Sequence, residues 1–281
     1  PRALVAVGRL GRAEAVRVLL TGAGGPAAIG VARSLIRNGH FLVGVDCDSY
    51  ALQFAKTQVR RLVPRASVST YIDGMNGIIS DQGIDFVHAQ PDPEVRAVSE
   101  RRQEVQAKTF LPSPPAVRVC QDKYLSYGVW SVKGVPVPRT IPLRNEIDLD
   151  RAWGEFLPGR FWIRANTGAA GNGSYPVGVH GRSRFEHVRS YVDSVHGWGT
   201  YQAAEYLPGR LFTWQSLWKD GCLIAAQGRE RLAWAMSNRS ISGVTGVTGV
   251  ARISNDPRLD EIGERAVRAI CDGPHGIWGV D

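Results

Sequence analysis

An apolar run, Phe161-Trp162-Ile163, delivers the cation Arg164 to the stretch Ala165-Asn166-Thr167-Gly168-Ala169-Ala170-Gly171-Asn172-Gly173-Ser174. Gly168, Gly171 and Gly173 leave backbone N–H groups unshielded by side chains, and the Ser174 hydroxyl adds a further donor. Arg164, at the end of the preceding strand, faces the same space. Backbone donors and a cation around a flexible loop suit a polyphosphate. The spacing is not the Walker form, since no Gly-Lys-Ser/Thr follows, and the loop does not open a helix as a dinucleotide loop does. From these residues alone, a glycine-rich hairpin tip is the competing reading.

The elements that must position this loop can be read around it. Val18-Leu19-Leu20 is a short strand that ends in Thr21-Gly22-Ala23-Gly24-Gly25-Pro26, followed by a helical pattern from Val31 to Asn38 and a second buried strand, Phe41 to Asp46. This is a β-α-β unit of a parallel sheet. A further strand covers Phe86 to Ala89, and Pro91-Asp92-Pro93-Glu94 starts a polar helix expected to run to about Lys108. Leu111 to Pro115 reads as a linker. Beyond it, one helix from Val119 to Val132 carries Asp122-Lys123, Ile147 to Leu157 and Phe185 to His196 are helical, and the glycine loop joins two strands. Tyr201–Tyr206, Leu211–Trp218 and Cys222–Gln227 read as an antiparallel meander with turns at Pro208-Gly209 and Asp220-Gly221. Ser240 to Gly249 reads as a mobile loop, Asp256 to Cys271 as a helix, and Gly276 to Asp281 as the start of a strand.

Lys123, Arg164, the glycine loop, Glu205 with Tyr206-Leu207, and Asp281 follow one another in an order that resembles the ATP-grasp superfamily. Within it, the chain is similar to the carbamoyl-phosphate-synthase large-subunit branch of carboxylate-amine ligases. The resemblance implies a doubly wound parallel α/β pre-ATP-grasp domain at 1–117. A two-lobed, α+β ATP-grasp domain with antiparallel sheets would follow, its N-terminal lobe at 118–200 and its C-terminal lobe at 201–281. It further implies ATP and Mg²⁺. Lys123 and Arg164 would contact the phosphates together with Gly168, Gly171, Gly173 and Ser174. Glu205 would accept from the adenine amino group while the backbone of Tyr206 and Leu207 reads the ring edge. Asp281 stands at the first metal-ligand position, where oxygen suits magnesium, and Arg231 is a candidate for a substrate carboxylate or acyl phosphate. Two departures stand out. Leu211 occupies the position of the family's ribose-binding acid, and the Glu-x-Asn pair that completes the metal site is not in the sequence. A C-terminal portion is therefore expected to be missing from this chain.

The expected activity is ATP-dependent ligation of a carboxylate or bicarbonate to an amine or ammonia, by way of an acyl phosphate. Composition is compatible with it. The net charge of +8 is carried mostly by arginine, scattered rather than striped, which favours small anions over nucleic acid. Cys47, Cys120, Cys222 and Cys271 lie far apart and form no zinc pattern. No apolar stretch reaches the roughly 18–20 residues of a membrane span, and the opening residues do not read as a signal peptide, so the expected setting is cytoplasmic. Small-molecule substrates are the expected partners, without membrane or nucleic acid, and a homodimer is among the expectations. Two rival readings remain. A nicotinamide-dependent short-chain reductase or epimerase would use Thr21 to Gly30 and Asp46, but none of the eight tyrosines has a lysine four residues on. A non-catalytic nucleotide-binding protein is the other.

Overall fold

A computed structural model describes residues 14–156, 161–168, 174–177, 182–195, 197–239 and 243–281. The chain divides into two compact units, Pro1–Phe110 and Leu111–Asp281.

In the first unit the elements are β1 (Arg17–Leu20), α1 (Pro26–Arg37), β2 (Phe41–Asp46), α2 (Ser49–Leu52), β3 (Val59–Leu62), α3 (Tyr71–Gln82), β4 (Phe86–His88), α4 (Asp92–Glu100) and β5 (Lys108–Thr109). The five strands form a parallel sheet in the order β3-β2-β1-β4-β5. Burial on both faces explains the unbroken apolar runs of β1 and β2; Leu19, Leu20, Leu42 and Val43 are fully buried. The turn after β1 needs glycine for space. A Cβ on Gly24 would lie 2.0 Å from the Ala51 carbonyl oxygen, and Gly22, with φ +54°, would press on Pro91. The polar helix ends at Glu100 rather than near Lys108, because the chain tightens into a 3₁₀ turn at Arg102–Glu104 before entering β5.

The second unit opens with α5 (Pro114–Cys120) and α6 (Lys123–Val132), then β6 (Thr140–Leu143), α7 (Glu146–Phe156), β7 (Phe161–Ala165), β8 (Ser174–Val177), α8 (Arg182–Ser194) and β9 (Tyr201–Glu205). It continues with β10 (Leu211–Lys219), β11 (Cys222–Trp234), β12 (Thr248–Ser254), α9 (Pro257–Ile270) and β13 (Gly276–Val280). The single helix expected from Val119 to Val132 is two. Asp122 adopts an extended backbone and its carboxylate accepts from the Leu125 N–H at 3.0 Å, capping a new helix.

Two four-stranded antiparallel sheets follow, in the orders β6-β9-β7-β8 and β12-β11-β10-β13. The expected meander is thus corrected: β9 belongs to the first sheet, and Tyr206 to Arg210 carries the chain into the second. Of the two expected turns, Asp220-Gly221 is the one that joins paired neighbouring strands, with φ +49° and +83°, the double positive that suits a two-residue connection. One face of the first sheet buries Ile141, Leu143, Phe161, Ile163 and Ala203 with Leu149 of α7 and Val192 of α8. Trp214, Trp218 and Trp278 of the second sheet pack with Ala116 of α5 and Val267 of α9. Of the loop expected at Ser240 to Gly249, residues 240–242 lie outside the described residues and β12 begins at Thr248.

Candidate functional site

Lys123 is the first residue of α6, where the Asp122 cap aims it at the exit of β7. Its backbone N–H donates to the Asn166 carbonyl at 2.8 Å, and Asp122 forms a short antiparallel bridge with Thr167. Its ammonium donates to the carbonyl of Gly168 at 2.7 Å, so a cation from one end of the unit is fastened to the first glycine of the loop. Gly168 itself has φ +103°, a conformation side-chain-bearing residues avoid. Gly171 and Gly173 lie outside the described residues; Ser174 opens β8, paired with Arg164 across the hairpin.

Arg164 is half-buried, and its guanidinium lies 3.4 Å from the Tyr127 hydroxyl. Tyr127 stands four residues after Lys123 on α6, hence on the same helix face. Cation, tyrosine, cation and glycine turn therefore form one contiguous group. Across the ladder, Arg164 pairs with Gln202 of β9. Gln202 is fully buried, and both its amide nitrogen and its oxygen lack a hydrogen-bond partner among the described residues. A buried amide with neither end satisfied costs free energy. Beside the arginine, it leaves an amide NH2 and a carbonyl oxygen for a polar ligand.

Glu205 ends β9 opposite Phe161, three register steps or about 10 Å from the Arg164–Gln202 pair. Its carboxylate is ion-paired with Arg139 at 2.6 Å. Tyr206 follows, its ring centroid 6.0 Å from that of Trp162, while Leu207 is exposed. Trp162 alternates to the same sheet face as Arg164 and Gln202, so an aromatic pair and a polar pair share that face. Neither Tyr127 nor Gln202 is among the residues singled out from the sequence; the helical spacing from Lys123 is the signal for the first, and a polar residue inside Tyr201-Gln202-Ala203-Ala204 the signal for the second. Arg139 carries no sequence signal, because only the β6–β9 pairing brings it to Glu205.

Arg231 and Asp281 meet on the second sheet, with a guanidinium nitrogen 2.7 Å from the carboxylate. The Arg231 guanidinium stacks on Trp234 at 4.7 Å, and its Nε is buried without a hydrogen-bond partner among the described residues. No group of three or more His, Cys, Asp or Glu arranged to hold a metal occurs among the described residues. One carboxylate already neutralised by an arginine is a poor match to the several oxygens that magnesium requires. Leu211 opens β10 and is partly exposed, opposite Arg231.

In the first unit both oxygens of Asp46 are engaged, by the Gly24 N–H at 3.2 Å and the Asp48 N–H at 3.0 Å. Asp46 thus braces the glycine turn instead of presenting itself to a ribose, against the reductase reading.

No protein-family model matches the sequence, and no curated protein matches it. Solved structures do. A carboxyaminoimidazole ribonucleotide synthase from Aspergillus clavatus, solved with ATP, aligns over 95% of this chain and 65% of its own at TM-score 0.66 and 15% identity. A biotin carboxylase from Campylobacter jejuni covers 94% and 61% at 0.63 and 18% identity. An L-amino acid ligase from Bacillus licheniformis covers 95% and 64% at 0.63 and 13% identity. The chain therefore spans less than two thirds of the length of these proteins. They are ATP-grasp enzymes, and this chain has the ATP-grasp fold.

Proposed function

We propose, taking the ATP-grasp fold as premise, that this chain supplies the nucleotide-binding part of an ATP-dependent carboxylate-amine ligase. The observation that carries the reading is the joining of Lys123, Gly168, Tyr127, Arg164 and Gln202 around the exit of β7. ATP brings about four negative charges, and charge-assisted hydrogen bonds of about 1.5–3 kcal/mol each suit two cations and a glycine turn there. The Lys123 ammonium donates to the Gly168 carbonyl. A phosphate is a stronger acceptor for that ammonium than a neutral carbonyl.

In the proposed reaction a carboxylate oxygen attacks the γ-phosphorus and the bond to the bridging β-oxygen breaks, releasing ADP. The amine nitrogen then attacks the acyl carbon, the C–O bond to phosphate breaks, and the nitrogen loses a proton. Such chemistry asks the protein for positioning, charge neutralisation and exclusion of water, and for no nucleophilic side chain. Lys123 and Arg164 neutralise the phosphates, Gln202 orients one of them, and the Trp162–Tyr206 pair with the backbone of Tyr206 and Leu207 receives the base. Glu205, which ends β9 on the Phe161 side of the sheet and is ion-paired with Arg139, is the candidate acceptor for an adenine amino group. Arg231 is the residue for the substrate carboxylate. The described residues around Asp281 do not by themselves make a magnesium site.

Arg164→Ala should weaken ADP binding at least about tenfold by calorimetry, the equivalent of roughly 1.4 kcal/mol. Unchanged affinity in a folded variant would remove the phosphate site from Arg164 and with it this reading.

A further inference from the structure

An outer edge of the first unit's sheet offers a second surface, independent of the nucleotide reading. Strands of a parallel sheet are ordinarily covered on both faces, yet in β3 Arg60, Arg61 and Leu62 are all exposed. Successive side chains point to opposite faces, so β3 is bare on both. It is also the outermost strand of the order β3-β2-β1-β4-β5, and among the described residues it pairs with β2 alone. Alternate main-chain N–H and C=O groups along its outer edge therefore have no ladder partner there.

The exposed side chains around this edge are apolar or cationic. Leu62 is 57% exposed, and α2, which packs against β3, carries Tyr50 at 68%, edge-to-face with Phe54 at 50%, the ring centroids 5.4 Å apart. Lys56, Arg60 and Arg61 are exposed, and none of them is ion-paired among the described residues; Arg61 donates to the Arg60 carbonyl at 3.0 Å. Arg210 of the second unit, by contrast, is ion-paired with Glu230. From residue 49 to residue 72 the sequence has no acid, and the Asp46 and Asp48 carboxylates before it accept from backbone N–H groups. Uncompensated cations on one bare strand attract an acidic partner. A second copy pairing edge to edge would set arginine against arginine. Residues 1–13 carry Arg2, Arg9 and Arg12 and no acid, so this chain's own N-terminal segment has the wrong charge. A nucleic-acid strand asks for a longer basic stripe. Free edge, apolar side chains and cations together fit an extended peptide of alternating acidic and apolar residues.

We infer that the outer edge of β3 receives an extended acidic segment of another protein, which adds to the sheet as a strand. Its carboxylates meet Lys56, Arg60 and Arg61, and its apolar side chains lie against Leu62 and the Tyr50–Phe54 pair.

Fluorescence anisotropy on the whole chain tests this with a labelled peptide of about eight residues alternating glutamate and valine. Controls are a lysine–valine peptide, a glutamate–proline peptide of equal charge that cannot pair as a strand, and a thymidine oligonucleotide of matching length. The glutamate–valine peptide should bind about tenfold or more tighter than every control, and less tightly as salt is raised. Arg60→Ser combined with Arg61→Ser, both at exposed positions, should weaken it at least about tenfold, and Leu62→Ser severalfold. Arg164→Ala should leave peptide affinity unchanged, which separates this surface from the cations near Gly168. The inference fails if the glutamate–valine peptide does not bind at millimolar concentration, if the lysine or proline control binds equally well, if the oligonucleotide binds more tightly, if the double arginine variant keeps its affinity, or if Arg164→Ala abolishes binding. Self-association of the double variant, with no peptide binding by the parent, would mean that the arginines serve only to keep the edge unpaired.

Discussion

The polar side chains left without partners carry most of the information. Gln202 and Glu94 are both buried, and each has an unused hydrogen-bonding atom among the described residues. Gln202 lies across the ladder from Arg164, an arginine that a ligand can share. Glu94 also leaves a mark on stability. Its carboxyl sits above the ordinary value, at about 7, mainly through burial, so the folded state binds more protons than the unfolded state in the interval below that. The stabilisation is complete below about pH 4.5 and is lost as pH rises through about 7, on the order of 2–3 kcal/mol. Glu94→Gln should therefore match the parent in urea midpoint near pH 4.5 and exceed it near pH 8. An equal midpoint difference at both pH values would mean that Glu94 is not held protonated.

Among the elements, α6 does the most positioning. Its N-terminus is set by the Asp122 cap and places Lys123 on the glycine loop, while Trp130, two turns on, donates to the Ala266 carbonyl of α9 at 2.9 Å. Losing the cap in Asp122→Ala should cost about 1 kcal/mol and weaken ADP binding as Lys123 loses its direction; full retention of affinity would detach the helix start from the site. On α9, glycine at position 263 is a packing requirement. A Cβ there would lie 2.3 Å from the Trp214 ring, which is anchored by its N–H to Asp260 at 2.7 Å and cannot slide away. Gly→Ala in a helix ordinarily gains up to about 1 kcal/mol. Gly263→Ala should instead lose roughly 1–3 kcal/mol by overpacking, read as a lower urea midpoint, and a raised midpoint would refute the fixed-ring argument.

For the molecule as a whole, the arginine excess is used on carboxylates as much as it is left for ligands. Glu230 is clasped by Arg210 at 2.6 Å and Arg252 at 2.5 Å, which hold its carboxyl down at about 2. Arg258 does the same for Asp256, and Arg144 holds Asp148 below the usual carboxylate range. Each depressed carboxylate contributes stability that is present above its unfolded value and lost as pH falls through the folded one. The second unit should accordingly lose stability from about pH 4.5 down to about 2. Glu230→Gln should be less stable than the parent at pH 7, with the gap narrowing on acidification; urea unfolding at pH 7 and pH 3 checks this. A constant gap would mean that the arginines act on Glu230 through packing alone. No helix among the described residues is long and apolar enough to cross a membrane.

What the amino-acid string determined by itself was local: the β-α-β start, the glycine turn, the strands flanking Gly168, the helix starting near Asp256, the hairpin at Asp220-Gly221 and the order of candidate residues. These follow from propensities and from interactions between near neighbours. Contacts across long separations were decided by the tertiary structure. The Asp122 cap split a helix that apolar spacing alone made continuous, and sheet pairing assigned β9 to the first sheet. Lys123 reached Gly168 across 45 residues, and Arg231 reached Asp281 across 50. Such pairs are set by strand register and helix packing, which depend on every core residue at once and leave no trace in the spacing of the two partners.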